Sequence, residues 1–538
     1  MASEWQELIQ KKRAVRDALI PGEWRLPTDI TNKVSQESSH NAFELLNEAA
    51  LLSDREIDIT ENYTATSLTA KIASGELSSY DVAAAFCKRA ALVHQLTNSL
   101  TEIFFDKALE RARWLDEYYA KEGKTVGPLH GLPVTLKDMI HVKGEYSTMG
   151  FVGHLKHPAA DEHAVIAQML EAAGAVFYCK TNVPQTLFVC ESYNNVFGRT
   201  LNPYKLCLTP GGSSSGEAAQ LGLRGSIMGV GSDIAGSVRV PALFTGVYGF
   251  RPTVNRLPFA KQADLAPKGW QGVQPTLGPM ARTAQDLTLF MKTIIQAQPW
   301  RYDATAFAVP WHDAPRKEKL TIGVWSQDPD FPVYPPIKRA MASAVDKLRA
   351  AGHTIKVIAA PPTMKAMKIA MRWFALDQVN LPFKFLEAGG ESPIADLESM
   401  NPGNFLDPGY VPDLHENIRI SADIHDYREE WAKIWRDADL DVLLCPASRG
   451  PAVPHGEFGP LMYTILWNLL DFPSSVIPFG HVDKAVDSTD GCKRAPTWIS
   501  YDASVVDGAP TGFQLVGWRF QDEQTLMATE VVADALKA

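Results

Sequence analysis

Short apolar runs alternate with segments of helical periodicity along most of the chain. The runs predict strands at 132–136, 175–179, 226–230, 320–325, 353–358 and 441–445, of which 175–179 is expected to be buried. Apolar residues that recur every three or four positions predict helices at 106–121, 161–173, 217–223, 337–351 and 521–536. Strands that alternate with helices in this way predict an α/β fold, in which helices cover both faces of a sheet.

The remaining segments extend this pattern. The first 125 residues have mainly helical periodicity, and Ser78 is typical of an N-cap before a helix that carries Val82 and Phe86. Residues 360–435 are helical, aromatic and irregular, and 461–480 indicate a buried helix followed by a strand. Since no linker separates independent units, we predict one large α/β unit with an N-terminal helical layer.

Composition excludes several classes of protein. The 538 residues are 46% hydrophobic and 21% charged, which is too apolar for a disordered chain. Lys and Arg number 52 against 62 Asp and Glu, so the net charge of −10 argues against a general nucleic-acid binder. The six cysteines form no Cys-x-x-Cys pair and are too sparse for a disulfide framework, which favours a reducing compartment.

The sequence contains no recognisable signal peptide or membrane-spanning segment. Its start lacks the apolar core of a signal peptide, and no uncharged apolar run reaches the ~18 residues of a membrane span. We therefore expect a soluble cytoplasmic protein with neither a membrane span nor a nucleic-acid partner.

Serine and glycine are concentrated in two segments between predicted elements. Pro210-Gly-Gly-Ser-Ser-Ser-Gly-Glu217 leads directly into an apolar helix, and Gly231-Ser-Asp-Ile-Ala-Gly-Ser-Val-Arg-Val-Pro241 follows the next strand. On glycine and serine content alone, the first segment fits a flexible surface loop. Its position at a helix N-terminus, whose free N–H groups favour negative charge, fits a functional site instead. Ser213 and Ser237 are 24 residues apart, with a strand-like run between them.

Residues 212–216 also satisfy Gly-x-Ser-x-Gly, the pattern of the nucleophile elbow in α/β-hydrolases. That motif requires a strand before the serine and a helix after it. A helix is predicted at 217–223, but 202–210 contain two prolines and predict a loop. We therefore do not interpret 212–216 as an elbow.

Lys137 ends the apolar run at 132–136 and allows two interpretations. Its stem can pack in the core while its ammonium reaches water. Alternatively the amine is buried, which would lower its pKa and let neutral lysine act as a base near pH 7. Metalloprotease and phosphate-loop motifs are absent from the sequence, and His154, His157 and His163 fit no compact zinc site. We therefore predict neither a metal nor a cofactor.

Together, Gly131-Leu-Pro-Val-Thr-Leu-Lys-Asp138 and the two serine-glycine segments resemble the three ordered motifs of the amidase signature family, the Ser-cisSer-Lys hydrolases. Within that family, the sequence is most similar to the fungal acetamidase-like general amidases. Supporting matches lie at 179–182, 278–283 and 508–516. The resemblance extends from about residue 60 to the end. It implies an N-terminal helical extension at 1–60 and a catalytic domain at 61–538 with a central mixed, twisted sheet.

The resemblance implies a role for each candidate residue. Ser237 is the nucleophile, Ser213 the bridging serine in a cis peptide, and Lys137 the ultimate base. The backbone N–H groups expected to hold the oxyanion belong to Ile234, Ala235, Gly236 and Ser237. Supporting roles fall to Ser214, Asp233 and Arg239, and the alternative for the two charges is an ordinary surface position. Ser215 and Ala235 stand where many members have glycine, and the extra methyl of Ala235 could crowd the oxyanion loop.

The activity implied is hydrolysis of a carboxylic amide to a carboxylate and ammonia or an amine, through an acyl-enzyme. The same relay could cleave a carbamate or an ester; an amidotransferase subunit and an inactive scaffold are further alternatives. The transferase needs contact with tRNA, which the acidic net charge does not favour. We expect a small-molecule amide as the substrate, and a homodimer is compatible with the sequence. Residues 371–385, Trp467 and Asn468 fit an acyl pocket or the core equally.

Overall fold

A mixed sheet organises the protein. The computed structural model describes residues 4–263, 265, 269, 270, 272–377, 379–489, 492 and 501–537. The strands in these ranges are β1 (Leu100–Ile103), β2 (Pro133–Lys137), β3 (Val176–Thr181), β4 (Met228–Asp233), β5 (Tyr248–Arg251), β6 (Thr276–Ala281), β7 (Thr321–Val324), β8 (Thr354–Val357), β9 (Val442–Cys445), β10 (Ser474–His481) and β11 (Pro510–Val516). They form a sheet in the order β1-β3-β2-β4-β6-β5-β10-β11-β9-β7-β8. β2 is parallel to β3 and β4, and β7 is parallel to β8 and β9, whereas the other neighbours are antiparallel.

Helices surround this sheet. In chain order they are α1 (Glu4–Ala18), α2 (Thr28–Thr31), α3 (Ala42–Ala49), α4 (Asp54–Glu61), α5 (Ala65–Ala73), α6 (Ser79–Thr97), α7 (Phe105–Glu122), α8 (Val165–Ala172), α9 (Ser215–Gly222), α10 (Arg239–Phe244), α11 (Ala284–Gln296), α12 (Pro335–Ala350), α13 (Thr363–Ala375), α14 (Leu381–Gly389), α15 (Leu414–Ala438), α16 (Ile465–Leu470) and α17 (Asp522–Lys537). Apolar residues of the sheet and of the helices form one large buried cluster. The prediction of an α/β fold with a mixed sheet is confirmed.

Local sequence explains where several elements begin. The Ser78 side chain accepts a hydrogen bond from the Asp81 N–H at 3.0 Å and caps α6, as predicted. β2 and β4 are buried along their whole length, as is typical of parallel strands that are covered on both faces. The helix and strand predicted within 461–480 are α16 and β10.

Two predicted elements have different bounds. The helix predicted at 161–173 begins only at Val165, because the N–H groups of Ala160 and Ala164 donate to the carbonyls of Glu145 and His141. The strand predicted at 226–230 is shifted to Met228–Asp233 and therefore includes part of the second serine-glycine segment.

In the described ranges, four strands lie outside the predicted ones, namely β1, β5, β6 and β11, and two of them contain proline. β6 includes Pro279, and β11 begins at Pro510. Proline cannot donate to a ladder and is usually confined to strand edges. Here β6 nevertheless lies between β4 and β5, so pairing set by the rest of the sheet overrides the local signal.

The N-terminal helix α1 is attached to the sheet by charged side chains. Arg16 is buried and donates to the Leu100 carbonyl of β1 at 2.9 Å. Lys12 forms an ion pair with the buried Glu102 at 2.6 Å, and Arg13 donates to the Val196 carbonyl at 2.6 Å. These contacts hold α1 against β1 and against the loop that follows β3.

None of the helices in the described ranges combines the length and the apolar character that a bilayer crossing requires. No disulfide joins the cysteines within the same ranges.

Replacing Arg16 by alanine should lower stability by about 1–3 kcal/mol, because a buried carbonyl loses a charged donor. Thermal or denaturant unfolding of Arg16→Ala measures this loss. Lys11→Ala, an exposed position on the same helix, is the control and should unfold with the wild type. Equal stability of Arg16→Ala and the wild type would contradict the prediction.

Candidate active site

The three sequence motifs meet at one edge of the sheet. β2 and β4 are adjacent and parallel, with Thr135 opposite Gly229 and Leu136 opposite Val230. Lys137 ends β2 and Asp233 ends β4, so the carboxyl ends of both strands open at the same edge. The first serine-glycine segment passes over this edge and enters α9, whose N-cap is Ser214. The flexible-loop interpretation of this segment is wrong, since residues 210–217 are buried.

The amine of Lys137 is fully buried, which decides between its two interpretations. Nζ donates to the Ser213 hydroxyl at 2.7 Å and to the Ser232 hydroxyl at 2.9 Å, and the Ser232 carbonyl lies 3.5 Å away. These partners are uncharged oxygen atoms. Burial lowers the pKa of Lys137 to about 7, and the more distant Asp233 offsets only part of this effect. The amine can therefore be neutral near pH 7.

The two serine-glycine segments lie side by side. The Gly212–Ser213 peptide is cis. The Ser214 N–H donates to the Ser237 carbonyl at 3.1 Å, and both Ser213 and Ser237 are buried. The structure thus joins Lys137 directly to Ser213. Among the described residues, the Ser237 hydroxyl makes no hydrogen bond to Lys137 or to Ser213. The backbone hydrogen bond from Ser214 to Ser237 links the two serine-glycine segments.

The residues expected to hold an oxyanion form the turn between β4 and α10. The Asp233 carboxylate accepts the Gly236 N–H at 2.8 Å and the Val238 N–H at 3.2 Å. The Gly236 N–H is therefore already bound to the Asp233 carboxylate. The N–H groups of Ile234, Ala235 and Ser237 remain the predicted donors to an oxyanion. Gly236 has a φ of 136°, and a Cβ there would lie 2.5 Å from Thr464 Oγ1, so the turn requires glycine.

Asp233 and Arg239 form a buried, bidentate ion pair rather than surface charges. Both N···O distances are 3.0 Å, and neither side chain is accessible to solvent. Asn468 donates to Asp233 at 2.9 Å. Burial alone would raise the pKa of Asp233, but the Arg239 charge and these hydrogen bonds hold it well below its usual range. The carboxylate is thus ionised and can brace the turn.

Comparison with known proteins decides the family. A family model described as Amidase matches residues 81–526. An amidase of Gibberella moniliformis is 83% identical over 99% of both chains. An acetamidase of Emericella nidulans is 37% identical over 100% of this chain and 99% of its own. The chain belongs to the amidase family. It is accordingly a hydrolase that acts on amide C–N bonds.

Solved structures agree with this amidase in fold. A fatty acid amide hydrolase superposes with a TM-score of 0.92 and 34% identity, covering 100% of this chain and 96% of that one. A peptide amidase from Stenotrophomonas maltophilia has a TM-score of 0.70 at 21% identity, covering 89% and 98%, and shows the fold alone.

Several residues of the amidase site were not found by sequence reasoning. Ser232 is the second hydroxyl partner of Lys137, and Thr464 donates to the Ala235 carbonyl at 2.5 Å. Asn468, whose position was left open, binds both Asp233 and Arg239, at 2.9 and 2.5 Å. Ser232 lies inside a motif and could have been suspected. The last two come from α16 and its flank, and no local signal connects them to the motifs.

Two side chains that fit an acyl pocket or the core are both buried. Trp467 is fully buried and stacks against Phe472, and Met371 is buried on α13.

Ser214 makes only long hydrogen bonds with the backbone of Ser232, at 3.4 and 3.5 Å. Ser215 donates to the Asn182 carbonyl at 3.1 Å and so attaches the start of α9 to the loop after β3.

Gly236→Ala should lower kcat about 100-fold, because the new methyl group would displace the turn from Thr464. The control is Gly390→Ala, since Gly390 also has a positive φ of 66° but has open space around it. This control carries about 1–2 kcal/mol of backbone strain without a clash. Steady-state kinetics and unfolding of both variants separate the two effects; equal kcat in Gly236→Ala and the wild type would contradict the assignment.

Proposed function

We propose that this amidase hydrolyses carboxylic amides through an acyl-enzyme on Ser237, with Ser213 as bridge and Lys137 as base. The observation that carries the proposal is the 2.7 Å hydrogen bond between Lys137 Nζ and Ser213 Oγ in a fully buried site. A serine hydroxyl is weakly nucleophilic and needs a neighbouring base. A lysine whose pKa is about 7 supplies one at neutral pH.

The proton relay follows from this arrangement. Neutral Lys137 accepts the proton of Ser213, and Ser213 accepts that of Ser237, whose Oγ attacks the amide carbon. The N–H groups of Ile234, Ala235 and Ser237 hold the oxyanion, in a turn that Asp233 and Arg239 keep in place. The relay then returns the proton to the leaving nitrogen, and the C–N bond breaks. Water, activated by the same relay, releases the carboxylate and restores Ser237.

The substrate class rests on the relatives. Proteins similar to this chain are named acetamidase and fatty acid amide hydrolase. We therefore propose a carboxamide whose nitrogen leaves as ammonia. Esters and carbamates carry similar acyl bonds, and the same relay could cleave them.

The pH dependence of kcat/KM should report Lys137. The protonated amine cannot accept a proton, so kcat/KM should fall about tenfold per unit below a midpoint near pH 7 and be level above it. Lys137→Ala should remove most activity together with this limb. Lys180→Met, which removes another buried lysine, should keep the midpoint. A wild-type profile that is level down to pH 5 would contradict the role of Lys137.

The nucleophile is tested by trapping. With amides from acetamide to long-chain primary amides, ammonia release should be lost at least about 1,000-fold in Ser237→Ala. Hydroxylamine should divert the wild-type acyl-enzyme to a hydroxamate. Ser421→Ala, an exposed serine on α15, is the control and should behave as the wild type. Turnover by Ser237→Ala, or ester and carbamate cleavage without amide cleavage, would overturn the corresponding part of the proposal.

A further inference from the structure

Glu217 is a buried carboxyl group beside the site that the relay does not use. It lies on α9, four residues after Ser213, and is inaccessible to solvent. Its oxygen atoms contact Thr135 of β2 at 2.5 Å and Thr181 of β3 at 2.9 Å. Thr135 precedes Lys137 by two residues and therefore shares its face of the strand, and Thr181 is in register with Lys137. Glu217 thus connects the serine segment to the strand that carries the base.

Counting hydrogen atoms shows which groups donate. The Ser226 hydroxyl donates to the Met228 carbonyl at 3.0 Å, since a carbonyl can only accept. Ser226 therefore has no proton left for Thr135, 2.9 Å away, and Thr135 must donate to Ser226. Tyr178 cannot change this count, because its hydroxyl donates to the Gly225 carbonyl at 2.8 Å. In this arrangement, with Ser226 donating to Met228 and Thr135 donating to Ser226, the proton between Thr135 and Glu217 belongs to Glu217.

The surroundings of the carboxyl group also favour its uncharged form. A Cβ at Gly229 of β4 would lie 2.0 Å from Glu217 Oε2, so the strand backbone packs directly on the carboxyl group. The titratable groups that face it are Lys137 on β2 and Tyr178 and Cys179 on β3. Burial raises the pKa of Glu217 to about 8, although the two threonines and Lys137 act in the opposite direction.

We propose that Glu217 is an uncharged carboxylic acid in the folded enzyme: its O–H donates to Thr135 and its carbonyl oxygen accepts from Thr181. It acts as a positioning residue that holds the Ser213 segment on β2 and spares Lys137 a further negative charge. The statement that Glu217 spares Lys137 a negative charge rests on the proposed role of Lys137 as the base. The protonation of Glu217 does not depend on that role.

Infrared difference spectroscopy tests the protonation without turnover. The wild type minus Glu217→Gln spectrum at pH 6–7 should contain the C=O stretching band of a protonated carboxyl group. Glu416→Gln is the matched control and should show no such band, because Arg372 and Arg419 contact that buried carboxylate at 2.5 and 2.6 Å and lower its pKa. Absence of the band in the Glu217 difference spectrum would overturn the proposal.

Kinetics test the positioning role. Glu217→Ala should lose kcat about tenfold or more with a smaller change in KM, since the serine segment loses its attachment to β2. Glu217→Gln should restore most of this loss, because its amide donates to Thr135 and accepts from Thr181 as the acid does. The acidic limb of kcat/KM should keep its midpoint in Glu217→Gln. A limb shifted to lower pH in Glu217→Gln would show that the native side chain is ionised, and a failure of Glu217→Gln to restore kcat would contradict the positioning role.

If Lys137→Ala kept wild-type activity, the base assignment would be wrong while the infrared band would still decide the state of Glu217. The two failures are therefore distinguishable.

Discussion

The rest of the site depends on keeping one amine out of water. Lys137 ends a strand that is buried along its length, and its partners are neutral oxygen atoms. Desolvation disfavours the ammonium form, and a nearby carboxylate would reverse that effect. The site must therefore be polar enough to hold Ser213 and Ser237 and yet place no carboxylate in contact with the lysine. Parallel pairing of β2 and β4 provides such a place, since both strands open at one edge.

The two acidic groups near Lys137 are kept from it in different ways. Asp233 is ionised, but its oxygen atoms are occupied by Arg239, Asn468 and the N–H groups of the turn. Its charge is therefore directed to bracing the turn between β4 and α10. Among the described residues no cation contacts Glu217, whose oxygen atoms bind hydroxyl groups that can accept as well as donate. A buried charge needs a partner, whereas a buried neutral acid needs only hydrogen bonds.

Sequence patterns predicted those parts of the molecule that have a local cause. Buried strands such as β2 and β3 contain short, mainly apolar runs, and the motifs indicated Lys137, Ser213 and Ser237 through a family resemblance. β6 contains an internal proline that opposes strand formation locally, while the neighbouring strands β4 and β5 supply its pairing. The contacts of Thr464 and Asn468 with the turn span 229 and 235 residues, so no periodicity along the chain could indicate them.

These distant contacts also explain why the site needs both halves of the chain. Arg239 donates to Asp233 within its own segment, but its remaining N–H groups reach the Thr464 carbonyl, Asn468 and Gln514 of β11. A guanidinium can be buried only if its donors are satisfied. Without α16 and β11, Arg239 would retain its charge but lose three acceptors, and the turn that Asp233 holds would lose its support. The geometry of this turn is therefore a property of the whole sheet, although the residues that form it are consecutive.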